Sequence, residues 1–120
     1  MTAPTVLLNA RWGGKIRDQN IDMSSGDDLL LFVTTTSVGE AVLDLTGGVL
    51  TWVLSKVPGS TALITKTGDL TFATSGVFSV SVDGTEDLSG DYYHEAQFTD
   101  TDDNVGTVMR GWVKIRKDSA

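Results

Sequence analysis

The feature that most constrains this chain is the period of two with which its apolar residues recur in short runs closed by turn residues. In residues 49–56, for example, Leu50, Trp52 and Leu54 share one face of an extended backbone. Such alternation is typical of strands with one buried face, and no long run has the spacing of a helix. We predict about seven strands, at residues 15–21, 29–36, 49–56, 62–66, 77–82, 92–100 and 105–116.

The length of the chain fits one domain built around one core. At 120 residues, with thirteen glycines at the turns, the strands suit an antiparallel β-sandwich, and a closed barrel is the alternative. We therefore predict a sandwich over residues 14–120, preceded by an extended N-terminal arm of residues 1–13 that lies outside the strand pattern.

The charge of the chain argues against nucleic acid as a partner. The formal net charge is −7, whereas binding to phosphates needs clustered Lys and Arg. Basic residues concentrate near the two ends of the sequence, so pairing of these ends in one sheet would polarise the domain and orient it on an acidic neighbour. Solvated strand faces are the other interpretation. The residues concerned are Arg11, Lys15, Arg17, Arg110, Lys114, Arg116 and Lys117.

The absence of cysteine and the N-terminal sequence exclude further classes of functional site and of protein. The chain has no cysteine, which excludes disulfides, a thiolate nucleophile and a cysteine-ligated zinc site. The N-terminus lacks the charged and apolar regions of a signal peptide, and the longest apolar run, residues 29–33, is too short to cross a bilayer. We expect a protein that is made in a cytoplasm and has no membrane partner.

His94 is the single histidine and the first candidate for a catalytic residue. Alternation places His94 on the same face as Tyr92, Ala96 and Phe98, which predicts a buried, hydrogen-bonded structural histidine. The chain also lacks a Gly-x-Ser-x-Gly elbow and both common glycine-rich nucleotide-binding loops. We therefore expect no enzymatic activity, no catalytic residues and no cofactor.

A metal site was considered in the acidic segment 100–104, whose alternating oxygen ligands suit calcium. The calcium-loop pattern then fails, because Val105 stands where glycine is needed and Gly111 stands where a bidentate glutamate is needed. We predict a β-turn in which Asp and Asn side chains cap their own backbone, and no bound metal.

The three tryptophans raise the possibility of glycan binding, since aromatic rings stack on sugars. Trp52 fits the core face of its predicted strand, whereas Trp112 alternates with Arg110 and Lys114 and is expected on an exposed or interfacial face. Trp12 lies in the N-terminal arm. Aromatic residues are equally typical of protein interfaces, so both interpretations stay open.

The N-terminal arm is the first predicted contact surface. Its apolar run Val6, Leu7 and Leu8 is long enough to pair with a sheet edge, either on its own domain or on a neighbouring subunit. The predicted interaction residues are Val6, Leu7, Leu8, Arg11, Trp12 and Trp112.

The segment 87–92, Asp-Leu-Ser-Gly-Asp-Tyr, is similar to the tyrosine corner of immunoglobulin-like sandwiches. Tyr92 would be the corner residue, hydrogen-bonded to backbone upstream, and Trp52 resembles the core tryptophan of strand C. The two cysteines of antibody domains are absent, and His94 stands where the second would be. The resemblance implies an immunoglobulin-like antiparallel β-sandwich.

A second resemblance is to the N-terminal domains of phage baseplate upper proteins and related small tail or fibre modules. It rests on five elements between about residues 14 and 116. These are Gly26-Asp27, the turn Asp44-Leu45-Thr46-Gly47, the Trp52 strand, Gly90-Asp91-Tyr92-Tyr93-His94-Glu95, and the closing strand after Gly111.

The resemblance implies a non-enzymatic virion structural protein of the tail, baseplate or fibre attachment region. Its partners would be other virion proteins, it would be homo-oligomeric or present in many copies, and it would be located in the virion. It carries over no catalytic or metal-binding residue. A capsid decoration protein and a glycan-binding adhesin domain are the alternatives.

Overall fold

A computed structural model describes residues 4–13, 16, 18–37, 41–85 and 87–117. These residues form eight β-strands in two sheets, and the helical structure within them is one short 3₁₀ turn, Ala73–Ser75. The predicted all-β sandwich is therefore confirmed. The strands are β1 (Thr5–Trp12), β2 (Ile21–Ser24), β3 (Leu29–Ser37), β4 (Val49–Ser55), β5 (Ala62–Thr67), β6 (Val77–Val82), β7 (Gly90–Thr99) and β8 (Val105–Arg116).

The smaller sheet has three strands in the order β1-β3-β6. β3 lies in the middle, parallel to β1 and antiparallel to β6. One row across this sheet is formed by Leu7, Phe32 and Ser79, which occupy corresponding positions in the three strands. Side chains in such a row point to the same face of a sheet.

The larger sheet has five strands in the order β2-β8-β7-β4-β5. β8, β7, β4 and β5 are antiparallel neighbours, whereas β2 is parallel to β8. Both sheets are thus mixed, which departs from the wholly antiparallel sandwich expected from the sequence. The reason is that β1 and β2 each pair with a strand far along the chain, and period alone does not specify strand direction.

The core lies between the inner faces of the two sheets. Its largest fully buried side chains include Leu31 and Phe78 of the smaller sheet and Trp52, Leu54 and Met109 of the larger one. Burial of an aliphatic or aromatic side chain of this kind contributes about 1.5–3 kcal/mol relative to exposure. The alternation in the sequence therefore places the core correctly, as the buried alternate positions of β6 illustrate.

Most of the predicted strands are observed, and the errors fall near the N-terminus. Of the predicted strand 15–21, Lys15 and Arg17 lie outside the described residues. Among the described ones, Asp18 makes an isolated bridge to Arg110 and Ile21 begins β2, so residues 16 and 18–20 do not belong to a strand. Residues 5–12, predicted to lie outside the strand pattern, form β1 of the smaller sheet. The sequence pattern missed β1 because its pairing with β3 is parallel and joins segments that are distant in sequence.

Candidate docking surfaces and the buried histidine

His94 is fully buried on β7 and both of its ring nitrogens have partners. Trp52 Nε1 donates a hydrogen bond of 3.0 Å to Nδ1, so Nδ1 is an acceptor and the proton of the neutral ring lies on Nε2. Nε2 in turn lies 2.5 Å from the carbonyl oxygen of Gln19, to which it donates. Burial lowers the pKa of His94, and the hydrogen bond to Gln19 opposes that shift only in part. The prediction that His94 is buried and hydrogen-bonded is confirmed.

Gly111 allows Gln19 to reach His94. It is opposite His94 in the β7–β8 pair, and a Cβ atom at Gly111 would overlap the backbone of Gln19. The segment is fixed there by a bond of 2.8 Å from Gln19 N to Arg110 O and one of 2.9 Å from Trp112 N to Asn20 Oδ1. Gly111, which the sequence resemblance placed before the closing strand, is thus needed because the backbone of Gln19 comes too close to leave room for a Cβ atom.

Gln19 also connects the two sheets. Its Oε1 accepts a hydrogen bond of 3.0 Å from Asn9 N on β1, while its backbone binds β8 and His94 of the larger sheet. No feature of Gln19 in the sequence indicates this role. The contact joins residues that are distant along the chain, and it exists only once the two sheets have packed.

Tyr92 makes the hydrogen bond predicted from the tyrosine-corner resemblance. Its hydroxyl donates to Ser89 O at 3.0 Å and accepts from Ser89 N at 3.1 Å. The ring is buried, with Lys56 Nζ 4.8 Å from its centroid. Tyr92 therefore fixes the chain where it enters β7.

The acidic segment between β7 and β8 is a turn, as predicted. Asp100 Oδ1 accepts hydrogen bonds from Asn104 N at 2.8 Å and Asp102 N at 2.9 Å. The bonds from Asn104, first through its backbone and then through its side chain, lower the pKa of Asp100. Asp103 adopts a positive φ of 64°, which aspartate tolerates in turns. The Asp100 carboxylate is thus occupied in holding its own loop.

Two further aspartates also accept hydrogen bonds from their own turns. Each begins a copy of the sequence Asp-Leu-Thr, a repeat that was not among the predictions from the sequence. Asp44 Oδ1 accepts from the hydroxyl and backbone N–H of Thr46, and Asp69 Oδ1 accepts in the same way from Thr71. In both turns the threonine hydroxyl bond and then the backbone bond lower the pKa of the aspartate. The repeat itself is the signal for these turns.

The predicted interaction residues of the N-terminal segment separate onto the two faces of β1. Leu8 is buried in the core and Val6 is half-buried against it, whereas Leu7 is 80% exposed on the outer face. Arg11 is half-buried near the end of the strand, at the level of Thr36. Within the described chain this segment folds back on its own domain, which is one of the two alternatives left open by the sequence.

Trp12 packs within the domain. Its ring meets the ring of Phe98 edge-on at a centroid distance of 5.4 Å and lies over Gly106, where a Cβ atom would approach it to 3.1 Å. This contact bridges the end of β1 to β7 and β8. Trp12 is therefore only partly available to a partner.

Trp112 lies apart from the N-terminal segment, on the outer face of the larger sheet, and is 44% exposed. It packs edge-on against Tyr93 at a centroid distance of 5.8 Å. Burial raises the pKa of Tyr93, and the nearby Glu95 carboxylate adds to the increase. The structure thus brings Trp112 together with Tyr93, a residue that the sequence analysis did not assign to a surface.

The basic residues of β8 do not form an uncompensated positive surface. Arg116 makes an ion pair of 2.7 Å with Asp22, and Arg110 lies 3.7 Å from Asp18. Lys114 has Asp91 and Asp22 opposite it in the neighbouring strands. Pairing of the two basic ends in one sheet is not observed among the described residues. Arg11 lies on β1 of the smaller sheet, Lys15 and Arg17 lie outside the described residues, and β2, which pairs with β8, brings Asp22 beside its basic residues.

The outer face of the smaller sheet carries an apolar cluster among polar residues, which the sequence did not predict. Leu7 and Phe32 are neighbours there, and the rings of Phe32 and Phe72 are 6.3 Å apart. Beside them lies a groove of about 380 Å³, lined by Leu30, Phe32, Lys66, Thr67, Asp69, Thr71, Phe72, Ser79 and Ser81. The sequence signal for this cluster is the run 29–33, in which every residue is apolar. A strand with only one buried face would instead alternate apolar and polar residues.

Comparison with known proteins yields a likeness of fold. No family model matches the chain, and no curated protein matches it in sequence. Among solved structures, the chain is similar to the N-terminal domain of phage TP901-1 ORF48, with a TM-score of 0.64 and 6% sequence identity. The match covers 95% of this chain and 99% of that domain. The two chains therefore share their fold over nearly their whole length.

Among the described residues, no group of three or more His, Cys, Asp or Glu side chains is placed to hold a metal ion. In the same part of the chain no helix is long and apolar enough to span a bilayer. Two exposed features are candidate binding surfaces, the Trp112–Tyr93 pair and the apolar cluster around Leu7 and Phe32.

Proposed function

We propose that this chain is a non-enzymatic structural protein of a phage virion, a protein-interaction module of the tail, baseplate or fibre attachment region. The observation that carries the proposal is the shared fold, over 95% of the chain, with the N-terminal domain of phage TP901-1 ORF48. The sequence resemblance to baseplate upper proteins, of which the segment 90–95 with Tyr92 is one element, supports the same assignment.

The use of the polar side chains supports a role without catalysis. His94 has both nitrogens engaged within the core, and Asp44, Asp69 and Asp100 accept hydrogen bonds from their own turns. A catalytic base needs a free lone pair within reach of a substrate proton. The ring of His94 has no free lone pair, and the three aspartates use Oδ1 to hold their own turns, as expected of a rigid module whose surface meets other proteins.

Attachment to other virion proteins requires an exposed surface that is specific in shape. The Trp112–Tyr93 pair supplies one on the larger sheet, with the ion pairs of Arg110 and Arg116 at its margin. Aromatic residues with a charged rim are typical of interfaces in which a few residues dominate the binding energy. We assign this pair to the contact with a neighbouring virion protein.

The proposal is tested on phage particles produced with the tagged chain. We expect the protein to copurify with particles in a fixed stoichiometry, and gold labelling of the tag in electron micrographs to mark the tail or baseplate. Trp112→Ala is expected to reduce incorporation, while the matched exposed variant Leu63→Ala leaves it unchanged. Labelling of the capsid surface would favour a decoration protein, and glycan-array binding lost in Trp112→Ala would favour an adhesin. Absence from particles would refute the proposal.

A further inference from the structure

The outer face of each sheet carries apolar or aromatic side chains among polar ones. On the larger sheet these include the Trp112–Tyr93 pair, which lies among outward residues such as Glu95 and Lys114. On the smaller sheet, the outer face presents Leu7, Leu30 and Phe32, extended by Phe72, which is 56% exposed. An apolar patch of this kind on a small protein marks a surface that a partner covers. We refer to these four residues as the apolar face.

The apolar face contains both a projection and a depression. Leu7, 80% exposed, projects from β1 on one side of Phe32. On the other side of Phe32 lies the groove of about 380 Å³ between Phe72 and Ser79. When a second copy is turned by 180° about an axis along the central strand and faces the first, the projection of each copy lies opposite the groove of the other. This is the arrangement that a two-fold symmetric interface needs, since each residue then contacts the same counterpart in both directions.

The charge of the face fits a second copy of the same chain. With a net charge of −7, two copies repel one another unless they meet through a surface that carries little charge. The described residues that point outward from the paired positions of the smaller sheet include one charged side chain, that of Arg11. The outward residues are Thr5, Leu7, Asn9, Arg11, Leu30, Phe32, Thr34, Thr36, Val77, Ser79 and Ser81.

The two ionisable side chains that line the groove already have partners. Lys66 Nζ forms an ion pair of 2.6 Å with Asp83 Oδ1, and Asp69 Oδ1 accepts two hydrogen bonds from Thr71. An apolar side chain that enters the groove therefore need not separate either group from its partner. From these observations we propose that two copies of the chain associate through the apolar face, with Leu7 of each copy seated in the groove of the other. This homodimer is independent of the proposed function.

The test is sedimentation equilibrium of the purified full-length chain over a wide concentration range. We expect the wild type to form a dimer and Leu7→Asp to raise the dissociation constant at least about 100-fold, because both copies lose a buried leucine and gain a desolvated carboxylate. Leu63→Asp, at a strand position 52% exposed on the other sheet, is the matched control and leaves the constant unchanged. Phe72→Asp provides an independent variant of the face should Leu7→Asp fail to fold by circular dichroism.

A complementary pair of variants tests the predicted contact itself. Mixing Leu7→Asp with Ser79→Lys is expected to restore association at least in part, because the carboxylate of one copy then meets the ammonium group of the other. A monomeric wild type at every concentration would overturn the proposal, as would equal weakening by Leu63→Asp. Loss of binding to particles in Leu7→Asp, with a monomeric wild type, would assign the face to a different protein and would also overturn the homodimer.

Discussion

Trp52 and His94 are joined by a hydrogen bond between their ring nitrogens, 3.0 Å long, across neighbouring strands of the larger sheet. Both side chains are fully buried, and the bond fixes the neutral tautomer of His94 that donates to Gln19. Protonation of Nδ1 would remove the acceptor of the Trp52 bond and place a charge in the core. The stability of the domain is therefore linked to the charge of this one ring.

The first prediction concerns pH. Because the pKa of His94 in the folded chain is lowered from 6.5, the unfolded chain binds the proton first. The stability is fully present above pH 6.5 and falls as pH decreases from 6.5 toward the lowered pKa, by at most about 1.4 kcal/mol per pH unit. Urea unfolding at pH values above the aspartate range measures this slope. The same slope in His94→Gln would contradict the assignment.

The second prediction concerns Tyr92. Tyr92→Phe removes the hydroxyl bonded to Ser89 O and N, and we expect a loss of about 1–3 kcal/mol of unfolding free energy. Tyr93→Phe, on the outer face, is the control and should cost little. Thermal unfolding followed by circular dichroism compares the two. Equal melting temperatures for wild type and both variants would show that the corner bond is unimportant.

The third prediction concerns Gly111. Gly111→Ala places a methyl group on the backbone of Gln19 and forces that segment away from His94, so we expect a loss of about 3 kcal/mol or more. Gly59→Ala is the control: its Cβ meets open space, and the positive φ of 81° limits the loss to about 1–2 kcal/mol. Chemical denaturation gives both values. A Gly111→Ala variant as stable as Gly59→Ala would contradict the close approach.

The fourth prediction concerns the two faces of β1. Leu8 is buried, so Leu8→Ala should cost about 2–5 kcal/mol, whereas Leu7→Ala should change the stability of the monomer by no more than about 0.5 kcal/mol. Unfolding at low protein concentration keeps association out of the measurement. Similar losses in both variants, or none, would show that β1 is not paired with β3 as described.

The fifth prediction concerns calcium. The Asp100 carboxylate is engaged by Asp102 and Asn104, so we expect calcium and chelators to leave the melting temperature unchanged. Differential scanning calorimetry with and without the ion measures this. A calcium-dependent increase that is lost in Asp102→Ala would mean that the turn is a metal site.

Local pattern alone determined much of this fold. Residues 77–82 and 105–116 were predicted to be strands with the bounds that β6 and β8 have. The same alternation placed His94 and Trp52 in the core, and the resemblance of the segment before β7 to a tyrosine corner implied the bond of Tyr92 to backbone upstream. These features follow from the period of a strand and from turns a few residues long, which the sequence encodes without reference to distant segments.

Tertiary structure decided the features that join distant segments. The parallel pairing of β1 with β3 and the approach of Gln19 to His94 require strands that are far apart in sequence, and no local pattern specifies either. The apolar face is a similar case, because Leu7, Phe32 and Phe72 become neighbours only when the smaller sheet forms. Alternation indicates which side chains share a face of one strand, while strand order and direction decide which strands meet.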